Sequence, residues 1–463
     1  MKILLIKPGV TSDSIIPPVG LGYIAGAVSG SHQVKILDCL KDKIGLKKLD
    51  RIIKDYDPGL VGVQVFNIDK KMTTKYLKAV KEINKDIITI VGGPYPSCEP
   101  EEVFNYFSQD LDYAFAGEAE KGFKKLLGKI ENKESNDSFH DVEGLIWKDD
   151  DKTVANNPVC IEDLDEIGIP SWEHLKPETY PPVPAGGFLK NYPVAPINIS
   201  RGCPFRCSFC AGWRITGDRV RYRSVDNVIE EIEVLYHKHG IREIHIIDDN
   251  FTYSREYVMN FCKALIEKEF NISSACPNGI RLDTLDSELL ELMKEAGFYI
   301  FNVGIESGTP ETLTYMKKNL TVEIMKEKID LIKKAGLKIC GYFILGYPGE
   351  TTADLKRTLK FAMELPLTRA MFMNFLPIPG TLIFESLKNS AEIVEKDLDN
   401  KTFYNVSYKN PEISPLRLKY FQIKAFLLFY LRPKILFENI SDIYNFRHLL
   451  SLVKRVFRML VNV

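Results

Sequence analysis

Pro196-Ile197-Asn198-Ile199-Ser200-Arg201-Gly202-Cys203-Pro204-Phe205-Arg206-Cys207-Ser208-Phe209-Cys210 joins a strand-sized apolar run to a loop that carries three cysteines. The repeating pattern downstream of this loop sets the architecture. Strand-like runs recur at 243–247, 273–277, 299–305, 339–345 and 370–375, and the stretches 225–239, 287–296 and 322–335 between them carry apolar residues at helical spacing. Parallel strands need long crossovers, which helices supply, so 191–390 is expected to form about six βα units arranged as a partial (β/α)6 TIM-like barrel. The loops after the strands form the functional face of such a barrel, and the cysteine loop follows the first strand.

Three thiolates at this spacing can wrap one iron–sulfur cluster. A cubane has four irons, so one iron is left open for substrate or cofactor. Zinc is the rival: a structural site wants a fourth Cys or His, and the nearest histidines, His174 and His237, are distant in sequence. Cys39, Cys98, Cys160, Cys262, Cys276 and Cys340 are isolated and read as small core residues.

Toward the N-terminus, runs at 3–6, 34–37, 60–65, 87–91 and 113–115 alternate with helical stretches, which predicts a Rossmann-like, doubly wound parallel sheet over 1–130. Gly92-Gly93 and Gly117-Glu118 fall just beyond strand ends, where such sheets bind ligands, although ordinary tight turns would use the same residues. No Gly-x-Gly-x-x-Gly is present, so a dinucleotide site is not supported. Residues 131–190, rich in charge, Asn and Pro, read as a linker with a β-hairpin around Asp149-Asp150-Asp151. Residues 391–463 read as helical. The balance of 61 basic and 62 acidic residues gives no global case for a nucleic-acid partner. The N-terminus lacks the features of a signal peptide and no apolar run reaches the length of a membrane span, so a cytoplasmic protein is expected. From 416 to 463 there are nine Lys or Arg and two acids; Leu449, Leu452, Val453, Val456 and Leu460 share a helical face, with Lys454, Arg455 and Arg458 largely off it. That pattern suits a helix docked on the barrel, or peripheral contact with an anionic membrane.

The Cys-x-x-x-Cys-x-Phe-Cys loop, with Phe209 before the last cysteine, resembles the signature of the radical S-adenosylmethionine enzymes. The resemblance implies a 4Fe-4S cluster on Cys203, Cys207 and Cys210 whose open iron chelates S-adenosylmethionine, and whose reduction yields a 5′-deoxyadenosyl radical. It extends to Asp248, Asp249 and Asn250 as contacts near the methionine amine, and to Arg281 as a carboxylate partner. Glu306 and Ser307 would lie on the ribose-contact strand and Gly346 on the glycine-rich fifth strand. Each has a structural alternative: acids at strand ends cap helices, Arg281 could sit in an ion pair, and Glu350 could open a helix. The N-terminal segment resembles the cobalamin-binding domain that precedes the radical domain in one class of the superfamily, through Pro17 to Gly22, Gly92, Gly93, Gly117 and Glu118. The Asp-x-His-x-x-Gly motif that supplies a cobalt ligand elsewhere is absent. Together these resemblances imply a two-cofactor enzyme, commonly a methyltransferase acting on an inert carbon of a small or lipid-like molecule. They also imply an electron donor, a reductase or a flavodoxin- or ferredoxin-type protein. The alternatives are a non-methyl-transfer rearrangement, cyclisation or coupling, and, outside enzymes, a zinc-stabilised α/β scaffold.

Overall fold

The computed structural model describes residues 1–10, 15–182, 189–393, 398–399, 401–443, 446, 449–450 and 452–453. Strands β1 (Lys2–Lys7), β2 (Gln33–Asp38), β3 (Leu60–Gln64), β4 (Ile88–Gly92) and β5 (Tyr113–Phe115) pair in parallel in the order β2-β1-β3-β4-β5. Successive side chains on a strand point to opposite faces. Ile3 and Leu5 therefore pack on helices Val19–Val28 and Glu120–Glu131 through Leu21, Ala25, Phe123 and Leu126. Leu4 and Ile6 pack on the other face, against Leu49 and Ile53 of Leu46–Tyr56 and Tyr76 and Leu77 of Lys70–Ile83. This is the doubly wound sheet expected. Its strand order reverses between β1 and β3, which opens a crevice outside the strand ends at that point.

The hairpin forms as β6 (Leu145–Asp149) and β7 (Lys152–Ala155), but it is not a free connector. Strand β6 pairs antiparallel with β5 and extends the sheet to seven strands. Leu145, Ile146 and Trp147 are buried, with Trp147 edge-on to Phe139. Burial of that apolar triplet attaches the hairpin to the sheet and outweighs the charged turn that makes the segment look like a linker.

In the second half, β8 (Val194–Ile197) is followed by the short antiparallel pair β9 (Ser200–Arg201) and β10 (Arg221–Tyr222). Then come β11 (Glu243–Ile246), β12 (Ser273–Ile280), β13 (Phe298–Glu306), β14 (Lys338–Leu345) and β15 (Arg369–Asn374). Six of these pair in parallel in the order β8-β11-β12-β13-β14-β15, the wall of the partial barrel expected. The first strand ends at Ile197, because the Asp248 carboxylate just after β11 captures the N–H groups of Ile199 and Ser200 and turns the chain outward.

Helix Pro415–Tyr430 covers β15. Gln422 Nε2 donates to the Phe372 carbonyl at 3.0 Å, the Tyr430 hydroxyl to that of Ala370 at 2.9 Å, and Leu418, Phe421, Ala425 and Phe429 join the barrel core. The two roles that the sequence leaves open, docking on the barrel or contact with a membrane, concern the amphipathic stretch further on. Of the amphipathic stretch after 448, Leu449, Leu452 and Val453 are described; Lys454, Arg455, Val456, Arg458 and Leu460 lie outside the described residues. Val19 and Tyr23 of the first unit, and Trp172 and Leu175 of the connector, share the barrel core, so the two halves meet across a packed seam.

Candidate functional site

The cysteine loop begins at Gly202, whose φ is 96°; a Cβ there would lie 2.1 Å from the Arg219 carbonyl oxygen, so only glycine fits. Cys203 N–H donates to the Gly217 carbonyl at 3.1 Å, and Cys210 N–H to that of Cys207 at 3.0 Å. Ser208 ties the loop to three others: its N–H donates to Met316 O at 2.9 Å, its carbonyl accepts from Ile383 N–H at 2.9 Å, and its hydroxyl meets that of Tyr347 at 2.7 Å. Phe209 stands edge-on to Tyr347 at 6.5 Å and packs in a cluster with Phe375, Ile383 and Leu387. The aromatic residue of the motif is a wedge that fixes the loop.

Around the thiols lie Asp249 and Arg281 near Cys203, and Lys318, Glu306 and Arg281 near Cys207. Burial pushes the Cys203 and Cys207 thiols up, so thiolates form here only beside a compensating cation. Three sulfur donors on a tightly pinned loop are the donor set of an iron–sulfur cluster. Among the described residues no three His, Cys, Asp or Glu side chains, the cysteine trio included, converge as a closed metal site, so the loop supplies the three thiols without drawing them to one point. Two cysteines read as isolated come close to the loop. The Cys160 Sγ would be 2.6 Å from a Cβ on Gly217, and Cys98 packs on Gly380 within electrostatic reach of Cys210.

Asp248 is not a free contact. Its Oδ1 accepts from Ile199 N–H at 2.8 Å and its Oδ2 from the Ser200 N–H and hydroxyl at 2.7 and 2.6 Å. Asp249 differs. It stays accessible, accepts from the Thr216 hydroxyl at 2.5 Å and from the Gly202 backbone, and its Oδ1 lies beside Gly212 and Cys210. Asn250 is buried with both amide atoms unpartnered, an orphaned donor and acceptor next to the site. The Arg281 guanidinium lies 3.5 Å over the Phe205 ring and is shared between Asp283 at 2.8 Å and the carbonyls of Lys318 and Asn319. Glu306 ends β13 with φ 63°, a left-handed conformation costly for a non-glycine, and pairs with Lys318 Nζ at 2.8 Å. Ser307 is fully buried and bonded to Thr358 and Glu350, and Gly346 N–H donates to Glu350 Oε2 at 2.8 Å. These last groups close the turn after β14.

Across the mouth, a cavity of about 280 Å³ runs between helices Val19–Val28 and Glu120–Glu131 down to Leu5, Gly62, Ile90 and Phe115, at the β1/β3 reversal. Gly92, Gly93 and Gly117 line its sheet wall, and Thr216, Asp249 and Arg201 its barrel wall; no histidine lines it. Glu118 also borders the cavity, yet its carboxylate is committed to the seam: Arg221 donates to it at 2.6 and 3.0 Å and Ile161 N–H at 2.8 Å. Its neighbour Glu120 pairs with Arg201 at 2.6 Å through Oε1, while Oε2 is buried without a partner. Burial would raise the Glu120 pKa, but the Arg201 guanidinium holds it below the usual range, so a charged acceptor remains at the cavity. A glycine-edged wall, an orphaned carboxylate oxygen and the lack of an imidazole fit a large amide-bearing ligand without a histidine ligand. Arg201, Arg221, Glu120 and Lys318 had no signal beyond charge in the sequence, because their partners are brought together only by the seam and the barrel.

The chain matches the radical SAM superfamily over residues 197–362 and the B12 binding domain over 8–127. An uncharacterized methyltransferase of Pyrococcus horikoshii is 31% identical across 100% of this chain and 98% of its own length. The anaerobic magnesium-protoporphyrin IX monomethyl ester cyclase of Rubrivivax gelatinosus is 28% identical, covering 85% of this chain and 71% of the relative. In fold the chain is similar to TsrM of Kitasatospora setae, a radical S-adenosylmethionine methyltransferase solved with cobalamin and a [4Fe-4S] cluster. The TM-score is 0.71 at 19% identity, over 85% of this chain and 75% of that one. With both domains present in this order and a relative matching from end to end, the chain belongs to the radical S-adenosylmethionine enzymes that carry an N-terminal B12-binding domain.

Proposed function

We propose that the chain methylates an unactivated carbon of a small or lipid-like molecule. One observation carries the reading: a single cavity has Gly92, Gly93 and Gly117 of the cobalamin-type sheet on one wall and Asp249, the neighbour of Cys210, on the other. Cys203, Cys207 and Cys210 would hold the cluster, leaving its fourth iron to S-adenosylmethionine. When bound, the cluster supplies the electron that cleaves S-adenosylmethionine to a 5′-deoxyadenosyl radical, and cobalamin supplies the methyl group.

The chain's own residues position these groups. Ser208 and Phe209 hold the loop rigid against the mouth. Asp249 keeps an oxygen beside Cys210 to accept from the methionine amine, Asn250 has an unpartnered amide beside it, and Arg281 and Lys318 bring positive charge to the thiolates. Asp248, Ser307, Gly346 and Glu118 act by positioning, since their polar atoms are used within the protein. On the sheet side, the unpartnered Glu120 Oε2 would accept from an N–H of the corrinoid. A reductase or a flavodoxin- or ferredoxin-type protein would deliver the electron. Family membership sets aside the zinc-stabilised scaffold. The cyclase relative favours one second reading, a cyclisation or rearrangement by the same radical.

Protein reconstituted anaerobically with iron, sulfide and cobalamin, then given dithionite and S-adenosylmethionine, is expected to form 5′-deoxyadenosine. The Cys203→Ala, Cys207→Ala, Cys210→Ala variant is expected to form none. With methyl-labelled S-adenosylmethionine and cell extract, label entering a small molecule supports methyl transfer; 5′-deoxyadenosine with unlabelled product supports the second reading. A loaded cluster that yields no 5′-deoxyadenosine would overturn both.

A further inference from the structure

Nineteen large apolar side chains are exposed among the described residues, and twelve of them lie between 416 and 453. They are not spread evenly round their helices. Helix Pro415–Tyr430 spends one face on β15, and its outward side ends in Leu427, Leu428 and Leu431; the next helix, Pro433–Ser441, buries Ile435 and exposes Leu436, Phe437 and Ile440. Phe437 is 76% exposed and Leu431 65%, an arrangement that water disfavours and that marks a contact surface.

The charge on this surface is predominantly positive. Arg417, Lys424 and Lys434 are exposed, whereas the only acids from 413 to 453 are Glu438 and Asp442. Asp442 is neutralised by Lys338 at 2.6 Å and by Arg369, and Glu438 is half-buried. A second copy of this face would bring like charges together. An anionic bilayer complements it: lipid headgroups meet the cations and the apolar side chains enter the acyl boundary. No described helix is long and apolar enough to cross a membrane, so the surface lies on the bilayer and does not span it.

We propose that helices Pro415–Tyr430 and Pro433–Ser441 form a docking surface for anionic membrane, which holds the barrel against the bilayer through Leu427, Leu428, Leu431, Leu436, Phe437 and Ile440 and the cations beside them. The inference rests on this surface alone and stands whichever reaction the barrel performs.

The test is co-sedimentation of the full-length protein with vesicles of phosphatidylglycerol and phosphatidylcholine, beside phosphatidylcholine alone. The protein is expected to pellet with the anionic vesicles and to be released by salt. Lys424→Ala with Lys434→Ala should weaken binding about fivefold per charge removed. Leu436→Ser, Phe437→Ser and Ile440→Ser together should abolish it while the unfolding midpoint, a readout of the buried core, is unchanged. Equal pelleting of the serine variant, or no preference for anionic vesicles, overturns the proposal. So does a dimer in analytical ultracentrifugation that the serine variant alone dissociates, because a second copy then covers the face.

Discussion

Glu350 carries a carboxylate that accepts from Gly346 N–H at 2.8 Å and Tyr347 N–H at 3.0 Å, fully enclosed by protein. Burial pushes its pKa up to about 8, from 4.5 when free. Between those values the folded chain keeps the proton that the unfolded chain releases, so this group's stabilisation is full below about pH 4.5 and is lost as pH rises to about 8. Asp248, raised by burial to about 7, acts with the same sign. Glu350→Gln should therefore flatten the fall in stability between about pH 5 and pH 8, measured by denaturant unfolding; an unchanged slope would assign the fall to other groups. Glu120 makes the opposite case, a charge kept in place by Arg201 with one oxygen free. Glu120→Gln can keep the bond to Arg201 while replacing the free acceptor with a donor. Cobalamin affinity, read by absorbance titration, should weaken about 10- to 100-fold, the worth of a hydrogen bond to a charged group. Iron content should not change.

At the scale of elements, the turn after β14 and helix Pro415–Tyr430 are a matched pair. Gly346 has φ 75°, and a Cβ on it would sit 2.6 Å from Leu418 Cδ2, so the glycine serves helix docking. Gly346→Ala should cost about 2–4 kcal/mol from left-handed strain plus overpacking, seen as a lower unfolding midpoint and faster proteolysis after 415. A variant as stable as the native protein would place the helix elsewhere in solution. The resemblance assigned Gly346 to the cofactor, since a glycine after a strand reads the same whether a ligand or a helix approaches it. Strand and helix positions were legible because period-2 and period-3.6 patterns are local properties of the chain. The place of β6 was not: a continuous apolar triplet declares a strand without naming its partner, and the pairing with Tyr113–Phe115 is decided only when Trp147 finds its cover. The same limit applies to polar groups. Asp248 and Asp249 are adjacent and chemically identical, yet where the chain leaves β11 one turns into the β8–β9 turn and the other stays at the cavity.

For the whole molecule, the site exists only while the two halves keep their distance and angle, because its walls come from different sheets. Glu118–Arg221 and Glu120–Arg201 are buried ion pairs across that seam, and Arg223, with Glu231, extends the contact to Tyr23 and Trp172. Buried pairs add little net stability but are costly to break singly, so they favour one docking geometry over its neighbours. Arg221→Met leaves the enclosed Glu118 carboxylate with Arg201, at 3.7 Å, as its remaining cation, and should cost about 3 kcal/mol, the low end for breaking a buried pair. Arg221→Met with Glu118→Gln should recover most of that loss, since both members of that pair are then neutral and Glu120–Arg201 stays matched. Stability and cobalamin binding should then separate. Arg221→Met should weaken cobalamin while the iron–sulfur absorbance stays, because the cysteine loop is pinned by Ser208 and Phe209 to the barrel and not to the sheet. If the double variant restores both stability and cobalamin affinity, neutral packing is enough to hold the seam; if it restores only stability, the charges set the angle at which the sheet faces the barrel mouth. Full cobalamin affinity in the destabilised Arg221→Met protein would mean that the corrinoid is held by the sheet alone, and the shared cavity would lose its place in the proposed reaction.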